Sequence, residues 1–144
     1  MHPSLAPFSL RRETREGKPC LWDVVRRKWV QALPEEEVRQ RLLHHLMEGR
    51  GIARPLISVE KEIQYHQLRK RFDVVVFDRQ AQPLILAECK APSVALSEAT
   101  LQQIARYNAV IQAPHLLLTN GEQLLFFSRD AGGQYQFQPT GWWT

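Results

Sequence analysis

An α/β sandwich, with a central mixed β-sheet flanked by helices, is the fold that the order of elements predicts. Three observations carry it. Two segments, "PEEEVRQRLLHHLMEG" and "LSEATLQQIARYNAVIQ", have helical periodicity and clear starts. Three strand-like runs lie between them: "LISVEKEIQY", "RFDVVVF" and "PLILAECKA". After the second helix, "HLLLTNGEQLLFFS" reads as a hairpin. The core order is therefore α-β-β-β-α-β with extra C-terminal strands, not the alternation of a doubly wound sheet.

Each element has a local cause. Pro34 opens the first helix, and Glu35, Glu36 and Glu37 fill the turn where the helix dipole favours acids. Val38, Leu42, Leu43 and Leu46 form its apolar stripe, and Gly49 ends it. In "LILAECK" both faces begin apolar, so helices should cover both sides of this central strand. Ser97 starts the second helix, with Thr100, Ile104, Tyr107 and Ile111 on one face. Asn120-Gly121 suits a type I′ turn, and "GQYQFQP" adds an edge strand.

Before the first helix, "CLWDVVRRKWVQAL" is expected to be a short helix or irregular segment packing Trp22 and Trp29 onto the domain. Residues 1–21 read as a basic, partly flexible arm and 22–144 as a single domain. Residues 1–30 hold seven Lys/Arg against three Asp/Glu, whereas the remainder holds twelve of each. The excess positive charge is therefore local, which suits phosphate contacts by Arg26, Arg27, Lys28 and, on a later strand, Arg71.

Several function classes are disfavoured. No apolar run reaches the ~18 residues of a membrane span, and the N-terminus lacks an apolar signal region, so cytoplasmic residence without a membrane partner is expected. Cys20 and Cys89 make neither a disulfide framework nor a metal spacing. No G-x-S-x-G elbow and no G-x-G-x-x-G loop is present. His44 and His45 point ~100° apart on a helix, so they cannot chelate one ion together.

The charged end of "AECKAP" is the exception to a plain core strand. If the second and third strands form a hairpin with Phe77 opposite Leu84, Asp73 falls opposite Glu88. Opposed residues have β-carbons ~4.5–5.5 Å apart, and like charges at that distance repel. A divalent cation between them removes the conflict. Hard carboxylate oxygens suit Mg²⁺ or Mn²⁺ and not zinc. With Lys90 alongside, the chemistry this supports is phosphodiester hydrolysis by a metal-activated water. Taken singly, Asp73 reads as a strand-start residue paired with Lys70 or Arg71, and Glu88–Lys90 as a same-face ion pair.

Asp73 followed by Glu88-Cys89-Lys90 resembles the signature of the PD-(D/E)XK nuclease superfamily, an acid on one strand and E-x-K on the next. "QIARY" resembles the Q-x-x-x-Y element of its RecB-like branch, and "PEEEVRQ" its helix-one motif. Residues 22–128 resemble the N-terminal nuclease domain of type I restriction-enzyme R subunits. The resemblance implies a restriction-endonuclease-like fold and Mg²⁺- or Mn²⁺-dependent cleavage of DNA. It makes Asp73, Glu88 and the Cys89 carbonyl metal ligands, Lys90 the catalytic lysine, and Gln103 and Tyr107 supporting residues. For the helix-one acid, Glu35 is favoured because it shares a face with Val38 and Leu42, with Glu36 a close second. A Walker A loop is absent, so a stand-alone domain in a restriction- or repair-type system is expected, acting as a homodimer or with a separate subunit. The alternative is a non-catalytic nucleic-acid-binding or assembly module that keeps the fold.

Overall fold

Alternating apolar residues pair the long strands of this chain into one mixed sheet, in a computed structural model that describes residues 8–65 and 68–139. Trp142 and Trp143, read as a core cap or a partner surface, lie outside the described residues. Strands β1 (Arg12–Arg15), β2 (Lys18–Asp23) and β3 (Lys28–Gln31) form a three-stranded meander. Helix α1 (Pro34–His44) continues through a π turn, His45–Gly49, and a 3-10 turn follows at Arg54–Leu56. Then come β4 (Ile57–Tyr65), β5 (Leu68–Phe77), β6 (Pro83–Cys89), α2 (Glu98–Ile111), β7 (His115–Thr119), β8 (Leu124–Arg129) and β9 (Tyr135–Phe137). The larger sheet has the order β4-β5-β6-β7-β8-β9, with β6 and β7 parallel and every other pair antiparallel.

Helices cover both faces, as the two-sided apolar pattern of β6 requires. Val38, Leu42 and Leu43 of α1 pack on Val74, Val76, Ile85 and Ala87. Ile104 of α2 packs on Phe72, Val75, Leu86 and Leu116. The capping box of α2 is closed on both sides: Thr100 N–H donates to Ser97 Oγ, and Ser97 N–H to Thr100 Oγ1.

The N-terminal segment is two paired strands, neither the short helix nor the irregular segment expected. Its alternation is of period two: Leu21 and Asp23 are buried, while Trp22 on the other face pairs with Trp29. Their rings meet edge-on at 5.3 Å between centroids. Asp23 makes the intervening turn by accepting from the Val25 and Arg26 N–H groups at 2.9 and 2.7 Å. Glu16 and Gly17, at φ 52° and 76°, form the two-residue loop from β1 to β2.

Two turns also differ from expectation. Phe77 pairs with Pro83 and not Leu84, because the register shifts after Val76. The β7–β8 hairpin exists, but Thr119 pairs with Leu124 across a four-residue loop. Asn120 accepts there from the Glu122 and Gln123 N–H groups and is not left-handed. Its amide instead donates to the Val94 carbonyl, tying the hairpin to the loop after Lys90.

Candidate active site

The charged cavity is built where the regular ladders of three strands stop. Val74, Val75 and Val76 pair with Ala87, Leu86 and Ile85, and the same register carried one residue further sets Asp73 opposite Glu88. There the Cys89 N–H donates to Asp73 Oδ2 at 2.7 Å. On the other side, Val59 pairs with Val74 and Lys61 with Phe72, leaving Glu60 between them at φ 53°. A non-glycine residue in that region costs on the order of 1–3 kcal/mol and marks a locally over-determined site. Phe72 belongs to the α2-side core and Val74 to the α1-side core, so strict alternation breaks at Asp73.

Helix α1 adds Glu36 and Arg39 from one face, spaced i,i+3. Arg39 Nε donates to Glu36 Oε2 at 2.8 Å, and its two terminal nitrogens reach Asp73 Oδ1 at 2.9 Å and Glu60 Oε1 at 3.2 Å. Arg26, from the β2–β3 turn, bonds Asp23 at 2.7 Å, Glu60 at 3.2 Å and Glu36 at 3.4 Å. Lys90 Nζ lies 3.6 Å from Glu88 Oε1 and donates to Gln103 Oε1 at 3.4 Å. Gln103 in turn donates to the Tyr107 hydroxyl at 3.2 Å, and the Tyr107 ring meets Phe72 edge-on. The i,i+4 spacing of α2 thus sets a hydrogen-bonded chain behind the lysine.

Among the described residues this network holds five carboxylates, on Asp23, Glu36, Glu60, Asp73 and Glu88, and three cations, on Arg26, Arg39 and Lys90. Fully ionised, it is two positive charges short. The shortfall falls on the half-buried pair Asp73 and Glu88. Burial, then the Asp73 charge, pushes Glu88 up to about 7 against the pull of Lys90 and Arg39. Burial also raises Asp73, outweighing the Cys89 N–H and Arg39. Burial pushes Glu60 up as well, but Arg39 and Arg26 outweigh it and hold that carboxyl low. Arg39 loses by burial and gains more from Glu36, Asp73 and Glu60, so its pKa is raised.

Asp73, Glu88, Lys90, Glu36 and Glu60 line a cavity of about 200 Å³. Glu36 is buried in the network, whereas the favoured Glu35 is exposed and only lines the cavity. Glu36, Arg39 and Gln40 are buried on α1 together with Val38, Leu42 and Leu43. Arg26, expected to contact phosphate, forms ion pairs with three carboxylates inside the protein. Arg27 and Lys28 are exposed in the adjoining turn and strand, and exposed Arg71 approaches Glu62 at 3.9 Å. Glu60 and Arg39 are members of the site that the sequence motifs do not single out; for Arg39 the Glu36-x-x-Arg39 spacing is the available signal. The Cys89 thiol is buried and its pKa raised by that burial, so it is a poor nucleophile.

Oxygen ligands for a cation are available on Asp73 and Glu88. Among the described residues no group of three or more His, Cys, Asp or Glu is arranged to cage a metal ion. A two-carboxylate set with room for water is the kind that Mg²⁺ uses, since it keeps several waters and takes one or two carboxylates.

Residues 34–140 match the family described as the type I restriction enzyme R protein N terminus. A solved structure assigned as a fragment of an HsdR subunit of a type I restriction enzyme from Vibrio vulnificus YJ016 superposes with a TM-score of 0.51. The two are 18% identical, and the match covers 72% of this chain and 22% of that one, which bears on the fold. No curated protein sequence matches. No described helix is long and apolar enough to cross a membrane. With most of its length matched, this chain belongs to the type I restriction enzyme R protein N-terminal family, which carries a nuclease-related role.

Proposed function

We propose that the chain is a Mg²⁺- or Mn²⁺-dependent deoxyribonuclease domain that hydrolyses internal phosphodiester bonds of DNA. The observation that carries this reading is the half-buried Asp73–Glu88 pair, short of positive charge, with the Lys90 ammonium 3.6 Å from Glu88. Asp73, Glu88 and the Cys89 carbonyl would hold the ion. When bound, the ion supplies Lewis acidity and lowers the pKa of a coordinated water.

The residues themselves do the rest. Lys90 donates to a phosphate oxygen and offsets the charge that develops there as water oxygen bonds to phosphorus and a P–O ester bond breaks. Gln103 holds the lysine in place and is held by Tyr107. The Cys89 N–H and Arg39 each take one lone pair, on different Asp73 oxygens, and leave one on each oxygen for a ligand. The exposed Arg27, Lys28 and Arg71 are the phosphate contacts in this reading, and a second copy or partner subunit supplies the second cut of a duplex.

Plasmid nicking in Mg²⁺ by the wild type, Asp73→Asn, Glu88→Gln and Lys90→Ala tests it. Activity in the wild type alone is expected; equal nicking by all four proteins would discard the assignment. The Arg39–Asp73 ion pair favours the second reading, a nucleic-acid-binding or assembly module, because it already gives Asp73 a partner. In that case Lys90→Ala keeps DNA binding and the wild type nicks nothing.

A further inference from the structure

The cavity contains more carboxylates than one hydrated ion needs, and the question is what the others hold. We propose that Arg39 is the resident cation of the Glu36–Glu60 side of the pocket, so that the chain takes one divalent ion, at Asp73 and Glu88, and not two. The inference rests on the metal-binding reading above and deepens it.

Paired-ion sites hold their metals ~3.5–4 Å apart on shared carboxylates. A second ion next to one on Asp73 would therefore use Glu36 and Glu60, the acids that α1 and β4 bring beside it. That position is filled. The guanidinium of Arg39, a residue only 6% exposed, touches Glu36, Glu60 and Asp73 together. Arg26 closes the outer edge, so Glu36 and Glu60 each face two guanidinium groups. No hydrogen bond joins Arg39 to Glu88, whose near cation is Lys90. A guanidinium does not give up its proton in proteins, so this cation is permanent and planar, and matched to carboxylates. It also lets the pocket fold before any metal arrives.

Stoichiometry tests this directly, by Mn²⁺ titration followed by calorimetry and by the electron-spin signal of free Mn²⁺. The wild type should take one ion per chain and Arg39→Met two. Arg39→Lys keeps a cation and should stay at one. Adding Glu36→Gln to Arg39→Met removes a ligand of the second ion and should return the count to one. Should Arg39→Met be unfolded in EDTA, millimolar Mn²⁺ should refold it with two ions bound. One ion in both wild type and Arg39→Met, two in the wild type, or no refolding with Mn²⁺ would each overturn the proposal. A wild type that takes no Mn²⁺ fails the metal-dependent function itself, a result separate from these.

Discussion

The backbone N–H of Cys89 donates to the side chain of Asp73 at the point where the β5–β6 ladder ends. A side chain thus completes the hydrogen bonding of the strand that carries its neighbour Glu88. Substitutions at Asp73 should separate this bond from the charge. Asp73→Asn keeps one acceptor, for the Cys89 N–H, but turns its NH2 toward Arg39, so it should lose less stability than Asp73→Ala while Mn²⁺ binding is lost. Asp73→Ala leaves a buried N–H without a partner and should lose ~1–3 kcal/mol in urea unfolding.

Glu88 gives a pH dependence of stability with a definite sign. Its folded pKa of about 7 lies above the ordinary 4.5, so the folded protein holds the proton more tightly than the unfolded chain. Stability therefore falls as pH rises between these values, by on the order of 3 kcal/mol, and is level above them. Glu88→Gln, which cannot ionise, should melt roughly 5–10 °C higher than wild type at pH 8 and nearly with it at pH 4.5. Equal shifts at both values would contradict the raised pKa.

The same proton competes with a cation. Below about 7 an arriving Mn²⁺ must displace it, so apparent affinity should rise about tenfold per pH unit up to that value and then level off. Calorimetry in buffers of different ionisation enthalpy should show close to one proton released per ion at pH 6 and much less at pH 8.

Gln103 tests the positioning of the lysine. Gln103→Ala removes the acceptor for Lys90 and should slow nicking roughly tenfold, the effect of about 1.4 kcal/mol at the barrier, with little change in melting temperature. Tyr107→Phe keeps the ring against Phe72 and removes the hydroxyl to which Gln103 donates, so its loss should be smaller. A Tyr107→Phe defect larger than that of Gln103→Ala would place the tyrosine in contact with the reacting groups.

Much of this architecture is legible in the amino-acid sequence. Strand patterning and the short 77–83 connection gave the β5–β6 register up to one bulge, and with it the opposition of Asp73 and Glu88. Helix capping gave α2 its start at Ser97. The misses have distinct causes. Trp22 and Trp29 are seven apart, a spacing that suits one helix face as well as a cross-strand pair, and only the Asp23 turn decides. Periodicity sets Glu35 with Val38 and Leu42 and Glu36 nearer Leu43, and what buries Glu36 is its contact with Arg26 and Arg39, which periodicity does not encode. The roles of Glu60 and Arg39 depend on contacts between β4 and α1, separated by 21 residues, which no local pattern encodes.

The left-handed kink at Glu60 also bears on how this molecule meets its own copies. β4 is nine residues long and lies at the edge of the larger sheet, where an unbroken strand would offer a template for intermolecular pairing. The kink interrupts that edge near its middle, and the exposed charges of Lys61 and Glu62 follow at once. The distortion that turns a carboxylate toward the site thereby protects the sheet against growing into an aggregate.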